Sequence, residues 1–224
     1  MKNFKLWSSI ITAGLIFTAC GNSNSSPTTF TYTITMKNLS YTQPMSPMAV
    51  VYHNNNKNVF KIGEKATVAL EKLSESGDNS AVLAQFTSTQ SQGGNGLILP
   101  SKSDTVTIES SSKDCISIAS MLVNTNDAFV GANCIDVRNL KRDESLSLKL
   151  TAYDAGTEKN SELASTIPGP AGGGEGVNSQ RNDINFVHIH ANVITKDDGL
   201  LTSTLTQAHK WNNPVATLII KRIN

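Results

Sequence analysis

The run "SLSLKLTAY", Ser145–Tyr153, decides the fold. Leu146, Leu148, Leu150 and Ala152 fall on one side of an extended chain, and Ser145, Ser147, Lys149 and Thr151 fall on the other. A period of two is that of a strand with one face in a core and one in water, whereas a helical period would scatter the leucines around the axis. Other stretches have the same form. In "FTYTITMKNL" (Phe30–Leu39), Phe30, Tyr32, Ile34 and Met36 alternate with threonines. "MAVVYH" (Met48–His53), which follows the breaks at Pro44 and Pro47, and "TVTIES" (Thr105–Ser110) read as strands. "CISIASMLV" (Cys115–Val123) is apolar on both faces and is expected to be central. "NFVHIHANV" (Asn185–Val193) and "VATLIIKRI" (Val215–Ile223) are expected to close the chain as strands.

One region is helical. In "GEKATVALEKLSESGDNSAVLAQF" (Gly63–Phe86), Ala66, Ala69, Leu70 and Leu73 share a face and Gly77 ends the helix, with Asn79 or Ser80 placed to cap a second short one. About eight strands, frequent turns and a single helical insert predict an all-β fold, an antiparallel β-sandwich. The glycine-rich loop "IPGPAGGGEG" (Ile167–Gly176) has no following lysine and no phosphate-binding pattern.

Of the 224 residues 38% are hydrophobic and 17% charged, a globular composition. The net charge is +1, and −1 without Lys2 and Lys5. No basic stripe is present, so nucleic acid is not an expected partner. The N-terminus, "MKNFKLWSSIITAGLIFTAC", has a basic start, an apolar run from Leu6 to Phe17 and a small-residue close. It reads as a signal peptide, too short and wrongly flanked for a transmembrane helix. Phe17-Thr18-Ala19-Cys20 resembles a bacterial lipobox, which makes Cys20 the lipidated first mature residue, carrying palmitate. "GNSNSSPTT" behind it is a flexible polar tether. The expected organisation is a leader over 1–19, a lipidated cysteine and tether over 20–29 and one domain over 30–224. The expected location is the cell envelope, anchored to a membrane, and the outer membrane in a Gram-negative cell because Gly21 is not Asp. In an exported chain Cys115 and Cys134 are candidates for a disulfide; two separate buried thiols are the alternative.

"TAYDAGTEKN" (Thr151–Asn160) places Asp154 and Glu158 either side of a glycine turn. Two carboxylates ~4 Å apart repel by roughly 4 kcal/mol at an effective dielectric of ~20. Either they stay apart in water or a cation sits between them. In "SMLVNTNDAFVG" (Ser120–Gly131), Asp127 lies just past another strand, with Asn124, Thr125 and Asn126 supplying further oxygens. Two central strands ending at one rim would bring Asp127, Asp154 and Glu158 together, a hard-oxygen set suited to Ca²⁺. Aspartates at strand ends also cap local backbone, which is the alternative reading.

"DCISIASMLVNTNDAFVG", "LTAYDAGTEKN" and "WNNPVATLIIKRI" together resemble the spondin domain, and "GEKATVALEKLSESGDNS" and "SPMAVVYH" are similar to its early helix-turn and second strand. The similarity runs in order from about Phe30 to Asn224. It implies a C2-like β-sandwich with Ca²⁺ held at one end by Asp127, Asp154 and Glu158, and a role in adhesion or partner binding beyond the cell surface. Glu158 stands where the family carries aspartate, and Ala128 where it carries a bulky aromatic. The rival reading of a C2-like, Ca²⁺-dependent membrane contact relies on rim residues Asn124, Asn126, Ala128, Phe129 and Lys159.

A second metal reading rests on "HIH": His188 and His190, two apart on a strand, with His53 or His209 as a third ligand for Zn²⁺ or Cu²⁺ in an enzyme. Nucleophilic catalysis has no support, since there is no G-x-S-x-G elbow and neither Cys115 nor Cys134 has a neighbouring base. The expectation is that the chain is not an enzyme.

Overall fold

The computed structural model describes residues 29–87, 89–112 and 114–224. The leader, Cys20 and nearly all of the tether lie outside the described residues. Nine strands are present among those described: β1 (Phe30–Asn38), β2 (Ala49–His53), β3 (Ser91–Gly93), β4 (Ser103–Ser110), β5 (Cys115–Met121), β6 (Ala128–Asp136), β7 (Ser145–Asp154), β8 (His188–Ile189) and β9 (Ala216–Arg222). Two short helices, α1 (Val68–Ser76) and α2 (Ser80–Leu83), form the insert. The fold is the expected all-β antiparallel sandwich.

The strands follow the order β3-β2-β5-β6-β7-β9-β1-β4, with β8 added on β7. The alternating run is the corner between the two layers. Its first part, Ser145–Leu150, pairs with β9, and its last part, Thr151–Asp154, pairs with β6. One ten-residue strand therefore belongs to both sheets, and its inward leucines face the core shared between them. That core gathers Tyr32, Ile34 and Met36 of β1, Ile116 and Ile118 of β5, Val130 of β6 and Leu218 and Ile220 of β9.

A second core covers the outer face of β2, β5 and β6. Val51, Ala119 and Phe129 pack there under Ala69, Leu70 and Leu73 of α1, and Phe60 meets Phe129 edge-on at 5.0 Å. Every residue of β5 is buried, as its two-faced apolar pattern requires. Helix α1 starts where the Thr67 hydroxyl accepts the Leu70 N–H at 3.1 Å. It ends at Gly77, whose φ of 73° is the left-handed cap conformation and where a Cβ would come within 2.8 Å of Ser46.

Three details differ from the expectations. β6 does not show in the sequence as an alternating run, because a bulge in β6 opposite Ile116–Ile118, with Cys134 at φ 44°, breaks its period. Ala128 and Phe129 open this strand and are fully buried, and Asn124 and Asn126 are buried before it. Of the expected rim residues only Lys159 is exposed. "NFVHIHANV" is strand only over His188–Ile189, because Asn185 and Asn192 take positive φ values of 63° and 95° and bend the chain on either side.

Cys115 and Cys134 are joined by a disulfide that ties the start of β5 to β6. No described helix is long and apolar enough to cross a membrane. The register also fixes polarity. Asn38 and Leu150 both pair with Ala216, while Tyr32 pairs with Arg222. Phe30 and Asp154 therefore lie at opposite poles of the sandwich.

Candidate metal centre

Ala128 and Asp154 are direct partners across the β6–β7 pair. Asp127, one residue before β6, is thereby set against the turn that follows β7. The contact is tight. Asp127 Oδ2 accepts the N–H of Thr157 at 2.8 Å, the Thr157 hydroxyl at 3.1 Å and the N–H of Glu158 at 3.0 Å. Asp154 closes its own turn, accepting the Gly156 N–H on Oδ1 at 2.7 Å, and takes the Asn160 side-chain amide on Oδ2 at 2.7 Å. Gly156 has φ 66°, and a Cβ there would clash with the Phe186 carbonyl, so only glycine fits.

The loop before β6 is scaffold. The Thr125 hydroxyl donates to the Leu122 carbonyl at 2.6 Å and accepts the Ala128 N–H at 3.0 Å. The Asn126 amide donates to Glu158 Oε1 at 3.2 Å and to the Thr166 hydroxyl at 2.8 Å, and its oxygen accepts the Glu162 N–H at 3.3 Å.

Asp127, Asp154, Glu158 and Glu162 are each at most 1% exposed. Among the described residues none of the four has a Lys or Arg ion-pair partner. A buried carboxylate without a partner is costly, and its protonated form is favoured. Burial, and then the charge of Asp154, hold the Asp127 pKa well above the carboxylate range. Burial pushes Glu158 up to about 7, opposed by the Asn126 amide and reinforced by Glu75 and Glu175. Burial also pushes Glu162 up to about 7, with the charge of Asp154 adding to it.

Among the described residues eight buried side-chain polar atoms lack a hydrogen-bond partner, and seven belong to this end of the molecule. They are Asp127 Oδ1, Glu158 Oε2, Asn160 Oδ1, Glu162 Oε2, Glu75 Oε1, His188 Nδ1 and His190 Nε2. Glu75, at the C-terminal end of α1, reaches the region because its Oε2 accepts the N–H of Asn178, just past the glycine-rich loop, at 2.8 Å.

The structure therefore brings Asp127, Asp154 and Glu158 to one turn, and adds Asn160, Glu162 and Glu75. Residue-by-residue reading missed Glu162 and Glu75. Glu75 carried a signal: an acid in the last turn of a helix opposes the macrodipole, which favours cations there. The oxygen chemistry and the uncompensated charge fit a hard cation such as Ca²⁺. Among the described residues no three His, Cys, Asp or Glu side chains are grouped so as to hold a metal ion.

The histidines serve differently. His188 Nδ1 lies 3.6 Å from Asp154 Oδ1, and His190 Nε2 lies 3.7 Å from Asp154 Oδ2. His190 Nδ1 accepts the Asn192 N–H at 3.0 Å, so in the neutral ring Nε2 carries the proton and has no lone pair for a metal. Burial keeps His190 neutral, with its pKa lowered to about 4 against the pull of Asp154. The suggested third ligands are elsewhere: His53 Nε2 is with the Ser117 hydroxyl at 2.6 Å, and His209 Nδ1 is with Thr206. This corrects the expectation of a shared His set.

No curated protein matches the chain. A family model does: Spondin_N, over residues 15–167. That span holds β1 to β7 and the acidic turn, whereas β8 and β9 follow it in sequence. β9 is nonetheless inserted between β1 and β7, so the folded unit runs past the matched residues. The match covers well over half of the sequence and includes Asp127, Asp154 and Glu158, and the chain belongs to the spondin family.

Proposed function

We propose that this spondin-domain chain is a lipid-anchored cell-envelope protein that binds Ca²⁺ at the Asp154–Glu162 turn and uses the ordered pole as an adhesion or partner-binding surface. The observation that supports the ion is the set of buried, unpaired oxygens on Asp127, Glu158, Asn160 and Glu162, with no Lys or Arg among the described residues paired to the acids. Asp127 Oδ1, Asp154 and Glu158 Oε2 would hold the ion, and Asn160 Oδ1 and Glu162 Oε2 are further oxygens within the same run. Bound Ca²⁺ would supply the positive charge this turn lacks. Asp127 meanwhile keeps its second oxygen on the backbone of Thr157 and Glu158, so the same residue shapes the loop and offers a ligand.

The anchor would be Cys20, and the polarity of the sandwich bears on its use. The described chain enters β1 at the pole opposite Asp154. A ten-residue tether spans at most ~35 Å, about the length of β7 itself. An anchor on that side would leave the acidic turn facing away from the anchoring membrane, toward an external ligand. No enzymatic role is proposed, because His190 presents an N–H rather than a lone pair toward Asp154.

Melting with Ca²⁺ and with chelator tests the ion. The midpoint should fall on chelation in the parent and be unaffected in Asp154→Asn; equal midpoints in the parent would end the reading. Palmitate incorporation that is lost in Cys20→Ser tests the anchor.

A second reading, Ca²⁺-dependent contact with lipid headgroups, has one observation in its favour. Ile184, Phe186 and Ile189 are exposed beside the turn, and the Asn185 N–H donates to the Gly156 carbonyl at 2.8 Å. Liposome sedimentation separates the two: pelleting that requires Ca²⁺ supports membrane contact, and its absence supports a partner-binding role.

A further inference from the structure

One cavity lies away from the acidic turn. It is a shallow, open pocket of about 590 Å³ between the β1–β2 loop and the segment before β9, lined among others by Tyr41, Asn192, Gln207, Lys210, Trp211 and Asn212. Its two walls are fixed to each other. The Thr42 hydroxyl donates to the Ala208 carbonyl at 2.7 Å, the Gln43 amide donates to the His209 carbonyl at 3.0 Å, and the Asn192 amide donates to the Trp211 carbonyl. Asn192 holds its place at φ 95°, a conformation uncommon for a non-glycine residue and one that gathers at functional sites. The pocket is therefore preformed.

Its lining is mostly neutral and includes two aromatic residues, Tyr41 and Trp211. Tyr41 is 78% exposed, the most exposed aromatic residue among those described, and Leu39 is exposed beside it. Standing in water, this apolar surface gains nothing for the fold. The one cation at the rim, Lys210, is neutralised by Asp198 at 2.7 and 2.8 Å. Among the described residues the Tyr41 hydroxyl, the Asn212 amide and the Trp211 indole N–H have no hydrogen-bond partner in the protein. An exposed ring next to neutral donors and acceptors suits a ligand with an apolar C–H face and a rim of hydroxyls. An anion would find no free cation there, and a purely apolar ligand would leave the amides unpaired.

We propose that this pocket binds a neutral saccharide, one pyranose face lying on Tyr41 and its hydroxyls meeting Asn212, Trp211 and Gln207. The site is separate from the cation reading but adjoins it, since the Trp211 ring packs on His190 at 5.2 Å and His190 faces Asp154.

Isothermal titration of the full chain with maltotriose, cellotriose and chitotriose tests the proposal. At least one is expected to bind with a Kd of about 1 mM. Tyr41→Ala should weaken that binding about tenfold or more, and Asn212→Ala should weaken it by a smaller factor. Both residues are exposed, so the melting midpoint and its response to Ca²⁺ should stay those of the parent; this keeps the outcome distinct from any failure of the cation reading. No heat with any of the three at about 20 mM, or undiminished binding in both variants, would overturn it.

Discussion

Asp127 accepts the backbone N–H of Thr157 at 2.8 Å, a contact across 30 residues of sequence that locks the loop before β6 to the turn after β7. One carboxylate oxygen does this work and the other has no partner. The two oxygens predict different outcomes for two substitutions. Asp127→Ala strands the Thr157 and Glu158 N–H groups and should cost ~2–3 kcal/mol in chelator. Asp127→Asn keeps an acceptor while removing a buried charge, so in chelator it should be at least as stable as the parent. Urea unfolding of both variants in chelator checks the contrast.

Acidity should stabilise the ion-free protein. Glu158 and Glu162 have folded pKa values raised from 4.5 to about 7, so between those values the folded state binds more protons than the unfolded state. Stability then falls as pH rises through this window, each shift being worth on the order of 3 kcal/mol when complete. His190 acts oppositely below about 6.5, where the unfolded ring takes a proton that the folded one refuses. Two carboxylates, with Asp127 raised as well, outweigh one imidazole. The midpoint in chelator is expected to rise from pH 8 to pH 6, and a flat or falling profile would contradict the burial argument.

Glu75→Gln should raise stability in chelator at neutral pH. Its carboxyl is fully buried, its pKa is pushed up by burial, and its charge also raises Glu158. Gln keeps an acceptor for the Asn178 N–H. A gain of ~1 kcal/mol, or ~2–4 °C for a chain of this size, is expected in thermal unfolding.

The Cys115–Cys134 bridge closes a loop of about 20 residues, which in the chain-entropy account stabilises the fold by about 3 kcal/mol. Reductant, or the double variant Cys115→Ala/Cys134→Ala, should lower the urea midpoint accordingly. The acidic turn is at the other end of β6 from Cys134, so its response to Ca²⁺ should persist.

Much of this architecture was legible because single residues carried the signal. Leu146 to Ala152 fixed a strand by alternation, and Gly77 marked a helix end through the φ only glycine takes readily. β6 was hidden because a bulge at Cys134 shifts its period, and because its first four residues, buried on both faces, show no alternation to read. At the candidate site, Asp127, Asp154 and Glu158 stood at strand ends where spacing could suggest a meeting. Glu162 and Glu75 reach the same end through a loop crossing and a helix terminus, and such placement is a matter of tertiary packing. The tautomer of His190 depends on the backbone N–H of Asn192, a contact that no sequence pattern encodes.

The buried, unpaired carboxylates at this turn are proposed to hold a cation. Calorimetric titration of the chain with CaCl₂ at pH 7.5 tests it most directly. The predicted result is one ion per chain with a Kd of roughly 10⁻⁴–10⁻³ M, typical of extracellular modules, and a stabilisation of about 1.4 kcal/mol at ten times that concentration. Binding should be lost in Asp154→Asn. No heat of binding in the parent, or an isotherm that Asp154→Asn leaves unchanged, would contradict it.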